Sequence, residues 1–292
     1  MKRIGVVGVP GGWSSERLAD ALAQRTGYRQ LMDPDHIAID LETGSAHWGE
    51  LDLGGLDGII IKKAGPSYSP HLLDRLEVLR WINQRGLPVF SRPARILAVL
   101  NRLSCTVGLS LAGIPMPPTV ITEDPARALA ALERLGACVF KPLYSTKARG
   151  MVVLEPGAHA AEEIARFQSE GNRTIYLQKL LKLPGRDLGV VFLGGKYLAT
   201  YARAASGNGA WNTTTRSGGK YQPHQPSAAV LELAHKAQAP FGLDFTCVDV
   251  AETEDGLKVF EVSAFGGFRG LMEAGGIDAA ALYADYVLGR LA

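Results

Sequence analysis

The 292-residue sequence predicts a mixed fold, an α/β N-terminal part followed by two α+β lobes. Three observations carry that prediction. Apolar β-runs alternate with helical spacings over roughly the first ninety residues, the pattern of a parallel sheet with crossover helices. A second unit up to about residue 177 interleaves short strands with two helices. From Gly185 onward strand follows strand directly, as in an antiparallel sheet.

Residues 3–9 form a glycine-containing β-run that turns at Pro10-Gly11-Gly12, and Ser14 or Ser15 is placed to cap a helix with Leu18, Ala19 and Leu22 on one face. Gly58-Ile59-Ile60-Ile61-Lys62 reads as a buried strand. Helical spacing follows over 71–85, then a stop at Gly86-Leu87-Pro88 and a short strand at Val89-Phe90. One helix carrying Ile96, Leu97, Leu100 and Leu103 comes next, closed by Pro115, Pro117 and Pro118. Asp124-Pro125 is a strong helix start, Asp as N-cap and Pro at the first helical position. That helix ends at Gly136. A helix over 160–168 and a strand over 174–179 complete the second unit. Strands follow at 188–193 and 197–203, then a polar Gly/Asn/Thr stretch at 206–215. A helix (227–238), two strands (245–251 and 257–262) and a final helix capped by Asp278 close the chain. The expected units are therefore 1–92, 93–177 and 178–292.

Composition narrows the function classes. Apolar residues make up 47% and charged residues 21%, values of an ordinary soluble globular protein. A net charge of +2 gives no electrostatic warrant for a nucleic-acid or membrane partner, so any cationic site must be local. Cys105, Cys138 and Cys247 show no C-x-x-C spacing, which favours reduced thiols over a disulfide frame or zinc site. The N-terminal apolar run is too short for a signal segment, and no stretch reaches the length of a membrane span. A cytoplasmic protein is expected. The early glycines do not form G-x-G-x-x-G, the six histidines include no H-x-x-x-H pair, and neither G-x-S-x-G nor a P-loop occurs.

Two stretches carry chemistry. Asp249 and Glu261 each sit alone inside an apolar strand. With Glu254-Asp255-Gly256 as a three-residue hairpin loop, Thr253 pairs with Leu257 and Asp249 falls opposite Glu261, beside Cys247, Ala251 and Val259. Opposed carboxylates repel unless protonated or bridged by a cation. Two oxygen ligands suit Mg²⁺, and Ser263, one pleat later, offers a weaker third. The plainer alternative is two strand-end acids that meet Lys or Arg. The cationic counterpart is VFKPLYSTKARGMVVL (139–154). Here Lys141 closes an apolar strand, and Ser145, Thr146, Lys147, Ala148, Arg149 and Gly150 are suited to wrap phosphates. A solvated, charged turn is the alternative.

Arg102, Lys141, Gln178-Lys179-Leu180-Leu181, Asp187, Arg203, Asn212, Asp249 and Glu261, in that order, resemble the ordered set of an ATP-grasp ligase. The resemblance is to the RimK-type group, which attaches glutamate to a ribosomal protein or related acceptors. It runs over nearly the whole chain and implies a preATP-grasp domain followed by two lobes that grip ATP. It implies that Lys141 and Arg102 bind the α- and β-phosphates and that loop 145–150, with Ser145, Thr146 and Lys147, closes over the β- and γ-phosphates. The backbone of Lys179 and Leu181 would read adenine, with Asp187 near the ribose. Asp249, Glu261 and Ser263 would hold Mg²⁺ or Mn²⁺, Arg203 would steady the transferred phosphoryl group, and Asn212 and Thr213 would sit beside the terminal phosphates. The implied activity is ATP-dependent joining of a carboxylate to an amine, an amino acid such as glutamate among the substrates, through an acylphosphate. A kinase using the same grasp and a non-catalytic ATP-binding regulator are the competing readings. Homo-oligomers are common in such a group. The sequence departs from the family pattern in a lid with a single glycine, in Lys179 where an acid is usual, and in Ser263 where Asn is usual. Arg269, beyond Gly267, adds positive charge where an acceptor would lie.

Overall fold

The computed structural model describes residues 1–146, 148–205, 213 and 218–292. The N-terminal unit contains β1 (Ile4–Val7), α1 (Trp13–Thr26), β2 (Leu31–Met32), β3 (Ile37–Asp40), β4 (Ser45–Trp48), β5 (Leu51–Asp52), β6 (Gly58–Ile61), α2 (His71–Gln84) and β7 (Val89–Phe90). Its main sheet runs β2-β1-β6-β7, all parallel as expected. The antiparallel sheet β3-β4-β5 was not expected. Its strands are short and half-buried, and Asp40 shapes the first turn by accepting from the Glu42 and Thr43 amides. α1 starts one residue before Ser14, at Trp13 after Gly12. Ser15 lies inside the first turn, where its hydroxyl accepts from Val9 N at 3.1 Å and ties the turn to the helix.

The single helix expected after residue 92 is two, α3 (Pro93–Leu100) and α4 (Arg102–Leu111), bent by 95°. Asn101 makes the break. Its backbone is extended, and its side chain accepts from Ser104 N at 2.8 Å as the N-cap of α4. The break leaves Arg102 at the first helical position. Among the described residues no single helix is long and apolar enough to cross a membrane.

The central sheet comprises β8 (Thr119–Thr122), β9 (Cys138–Phe140), β10 (Val152–Leu154) and β11 (Ile175–Lys179), antiparallel in the order β10-β9-β11-β8. α5 (Pro125–Leu135), capped by Asp124 as expected, and α6 (Ala160–Ser169) cover it. The last sheet is antiparallel, β14-β13-β12-β15-β16. Its strands are β12 (Arg186–Leu193), β13 (Lys196–Ala204), β14 (Lys220–Pro223), β15 (Phe245–Thr253) and β16 (Gly256–Ser263), with helices α7 (Ala228–Gln238), α8 (Phe268–Gly275) and α9 (Ala279–Arg290).

Packing divides the molecule unevenly. The central sheet has its own core of Phe140, Leu177, Leu132, Ile164 and Phe167. The first and last sheets share two cores instead. One joins α2, α3 and α4 to Val248, Val250, Val259 and Val262; the other joins β1 and α1 to Phe245, Tyr283 and Val287. Two units are thus welded by apolar burial, and the central sheet keeps its own core.

Tyr201 is wedged across two glycines of the last unit. A Cβ on Gly189 would lie 2.4 Å from the Tyr201 ring, and one on Gly270 would lie 2.5 Å from it. Gly189→Ala should therefore cost about 1–3 kcal/mol of stability through overpacking, read as a lower denaturation midpoint. Gly189 pairs with Asp249 across β12 and β15, so the same change should also impair the site described next.

Candidate active site

The β15–β16 hairpin brings its two carboxylates together, by a different route from the expected one. Thr253 pairs with Gly256, so the loop is the two residues Glu254-Asp255, and a bulge between Asp249 and Val250 then takes up one residue. Asp249 consequently does lie opposite Glu261, with Cys247 opposite Ser263. Val259 pairs with Val250 and is buried in the core, not beside the carboxylates. The bulge instead presents Phe260 and Glu261 together to one cavity of about 290 Å³.

Cations meet both acids. Arg203, late on β13, reaches Asp249 at 2.9 Å and also binds Asp187 through two nitrogens. Thr213 donates to Asp187 as well. The Asp187 carboxylate is buried at the cavity wall, held by Arg203 and Thr213. Arg102 reaches Glu261 at 3.3 Å, while its backbone N–H donates to Leu143 O and its guanidinium to Pro142 O. Burial pushes Asp249 up to about 7, against the pull of Arg203 and with the help of Glu261. Burial acts against the charge on Arg203, but Asp187 and Asp249 hold it well above its ordinary value. Glu261 keeps 42% of its side chain exposed against 13% for Asp249, so it is the more accessible oxygen ligand.

Lys141 follows β9 and is buried. Its ammonium donates to Gln178 Oε1 at 2.5 Å and lies 5.4 Å from the Phe260 ring centre. Gln178 is itself fixed by Thr119 and Tyr176, and Tyr176 by Thr106 of α4. Burial, then the Arg102 charge, lowers Lys141 to about 7. Beyond it the cavity is lined by Val139, Met151, Leu180, Leu181 and Leu183. The N–H groups of Lys179 and Leu180 are taken by Pro118 O and Ala137 O. A flat heterocycle would therefore meet the Lys179 carbonyl and the Leu181 N–H. Ser145, Thr146 and Ala148 cover the cavity from the lid side, Ala148 with a left-handed φ of 56°.

Arg102, Lys141, Ser145, Thr146, Gln178, Lys179, Leu180, Leu181, Asp187, Arg203, Thr213, Asp249, Glu261 and Ser263 thus all border one space. Two expected site residues do not. Arg269 is an exposed residue of α8, paired with Glu273 and lying over the Trp13 ring, and Gly267 caps α8 against Phe245 and Val191, while its neighbour Gly266 lines the cavity. Lys147 and Asn212 lie outside the described residues. Sequence reasoning missed Lys63, Tyr68, Tyr221, Phe260 and Phe265, which also line it. The bulge brings Phe260 there, pairing opposite Arg203 brings Tyr221, the turn after β16 brings Phe265, and the packing of the N-terminal unit brings Lys63 and Tyr68.

The donor set fits a magnesium ion shared with phosphates. Among the described residues no three His, Cys, Asp or Glu side chains gather around one point. Two opposed carboxylates and a hydroxyl would leave the remaining positions to water and phosphate oxygens, as Mg²⁺ prefers. The Ser263 hydroxyl accepts from Phe265 N at 3.4 Å and is the weakest of the three.

The family described as the RimK-like ATP-grasp domain matches residues 99–287. The tetrahydromethanopterin:alpha-L-glutamate ligase of Methanosarcina acetivorans is 25% identical, covering 98% of this chain and 99% of that protein. A probable alpha-L-glutamate ligase of Methanococcoides burtonii is 26% identical over 94% of this chain and 91% of its own. Among solved structures, a RimK-domain ATP-grasp protein of Sphaerobacter thermophilus superposes with a TM-score of 0.72 at 22% identity, covering 98% of this chain and 100% of that one. The ATP-grasp ligase PsnB, complexed with a phosphomimetic variant of its minimal precursor, Mg and ADP, gives 0.78 at 18% identity, covering 100% and 99%.

Proposed function

The chain belongs to the RimK-like ATP-grasp family, and from that premise we propose how its site joins a carboxylate to an amine at the expense of ATP. It is a carbon–nitrogen ligase, and we assign it glutamate, or a glutamate-like amino acid, as one substrate because the relatives named above are alpha-L-glutamate ligases. The observation that carries the reading is the convergence of Asp249, Glu261, Arg203, Arg102 and Lys141 on one cavity with an apolar far end.

Adenine occupies the apolar end between Val139, Met151 and Leu181. Arg102 and Lys141 meet the α- and β-phosphates, and the loop carrying Ser145 and Thr146 covers the terminal ones. Asp249 and Glu261, with Ser263 as a weak third ligand, would hold Mg²⁺, which when bound neutralises charge on the phosphate oxygens. The substrate carboxylate attacks the γ-phosphorus, giving an acylphosphate and ADP; the amine then attacks the acyl carbon and expels phosphate. Arg203, held between Asp187 and Asp249, is aimed where charge spreads over the transferred group, a preorganised electrostatic contribution. The 145–150 loop excludes water that would hydrolyse the acylphosphate. Three buried, unpaired cysteines support a cytoplasmic setting.

Because burial lowers Lys141 to about 7, a phosphate that pairs with it must raise that value again. ATP binding above pH 7 should therefore take up protons and weaken as pH rises. Calorimetry in two buffers of different ionisation enthalpy measures the uptake, and Lys141→Met should abolish it.

The test of the function is Mg²⁺-dependent ADP release, with and without pools of amino acids and small carboxylates, followed by product analysis. An amide with free phosphate supports the ligase; a stable phosphoester means a kinase. ATP binding without turnover on any pool would argue for a regulator.

A further inference from the structure

The two cations assigned to the α- and β-phosphates come from separately packed parts of the chain. Arg102 opens α4, which buries Cys105 and Leu109 in a core shared by the first and last sheets. Lys141 follows β9, whose Cys138 and Phe140 belong to the core of the central sheet. Cations that meet one polyphosphate need a fixed separation, so something must tie α4 to the central sheet.

β11 supplies the tie. Its Ile175 and Leu177 belong to the central core, so by the period of a strand Tyr176 and Gln178 share the opposite face. Both are 1% exposed, and their polar atoms form one buried line. An ammonium can only donate, so Gln178 Oε1 faces Lys141 at 2.5 Å and the amide nitrogen points away. That nitrogen donates to Thr119 Oγ1 at 2.9 Å and to the Tyr176 hydroxyl at 3.3 Å, and Thr119 gives its own hydrogen to Pro117 O. The Tyr176 hydroxyl pairs with Thr106 Oγ1 of α4 at 2.9 Å, and the Arg102 guanidinium lies over the Tyr176 ring, 5.9 Å from its centre. A buried line with its polar groups satisfied is rigid. Neither Thr106 nor Tyr176 borders the cavity of the site, so neither acts there by touching a ligand.

We infer that Thr106 and Tyr176 are positioning residues, whose hydroxyl pair sets Lys141, through Gln178, at a fixed distance from Arg102 so that both cations meet the phosphates of one nucleotide. The inference rests on the reading of Arg102 and Lys141 as phosphate-binding groups. Loss of the pair therefore weakens the phosphate contacts and spares those of adenine.

The test compares the Kd of ATP with that of adenosine, which lacks phosphates, by calorimetry on the full chain. Tyr176→Phe removes the hydroxyl but keeps the ring beside Arg102, and Thr106→Val keeps the side chain's shape. Each should weaken ATP about three- to tenfold, as for loss of a neutral hydrogen bond. Adenosine should bind within about twofold of its wild-type Kd, which also shows that the pocket is folded. Thr106→Ser, which restores the hydroxyl, should bind ATP as the wild type does. The double variant should bind ATP no more weakly than Tyr176→Phe alone, because both changes break the same bond. Unchanged ATP affinity in both single variants overturns the inference. An equal loss for adenosine and ATP also overturns it, since the site would then have loosened as a whole. Losses that add in the double variant do the same, since the two hydroxyls would then act separately. A wild type that binds ATP no more tightly than adenosine counts instead against the reading of Arg102 and Lys141.

Discussion

Arg203→Met should lose about 3–5 kcal/mol of folding stability, the cost of leaving buried charge without its partner. Arg203 is the shared counter-ion of Asp187 and Asp249, whose side chains are 5% and 13% exposed. Methionine matches the stem but leaves both carboxylates facing each other across β12 and β15. The pH dependence identifies the cause. Asp249 already has a raised value of about 7, and losing Arg203 removes the charge that opposes the rise. An acid whose folded value is raised stabilises the fold below its unfolded value and loses that contribution as pH rises through the folded one. The deficit of the variant should therefore be smallest near pH 4–5 and largest above pH 7. Denaturant titrations at three pH values measure it. A deficit independent of pH would mean lost packing instead. The variant should also be inactive, because the same guanidinium is assigned to the phosphoryl group.

Glu261→Gln should abolish ADP release, by about 10²–10³-fold or more, the range for removing one preorganised electrostatic group, while leaving the fold intact. Glu261 is the more exposed of the paired carboxylates, and its loss frees Arg102, which still donates to Pro142 O. ATP should still bind through Lys141 and the apolar pocket, and excess Mg²⁺ should not restore turnover. Ligand-induced thermal shift and ADP release, measured together, separate the two effects.

Much of this site was legible from local pattern. A lone Asp and a lone Glu inside apolar strands drew attention because burying a charge is costly, and Lys141 did so because it ends a buried strand. The Asp249–Glu261 pairing was foreseen with a loop one residue too long; a bulge cancelled the error and brought Phe260 into the cavity. The fold class followed from alternation, but β3–β5, β8 and β14 did not, being two to four residues long and largely half-buried or exposed. The helix break at Asn101 was hidden because apolar spacing continues through it. Lys63 and Tyr68 carry no mark in the sequence, since only the packing of two distant units brings them to the cavity. Arg269 is close in sequence to β16, yet α8 places it over the Trp13 ring and beside Glu273.

The measurement that bears most directly on the central claim follows oxygen. An acid that supports ADP release is labelled with ¹⁸O in its carboxyl group, and the phosphate formed with the amide is examined by mass spectrometry. Attack of the carboxylate on the γ-phosphorus, then of the amine on the acyl carbon, leaves one carboxyl oxygen in the phosphate. One ¹⁸O per phosphate is the predicted result. Unlabelled phosphate accompanying the amide would contradict the acylphosphate route and the assignment of the site that rests on it.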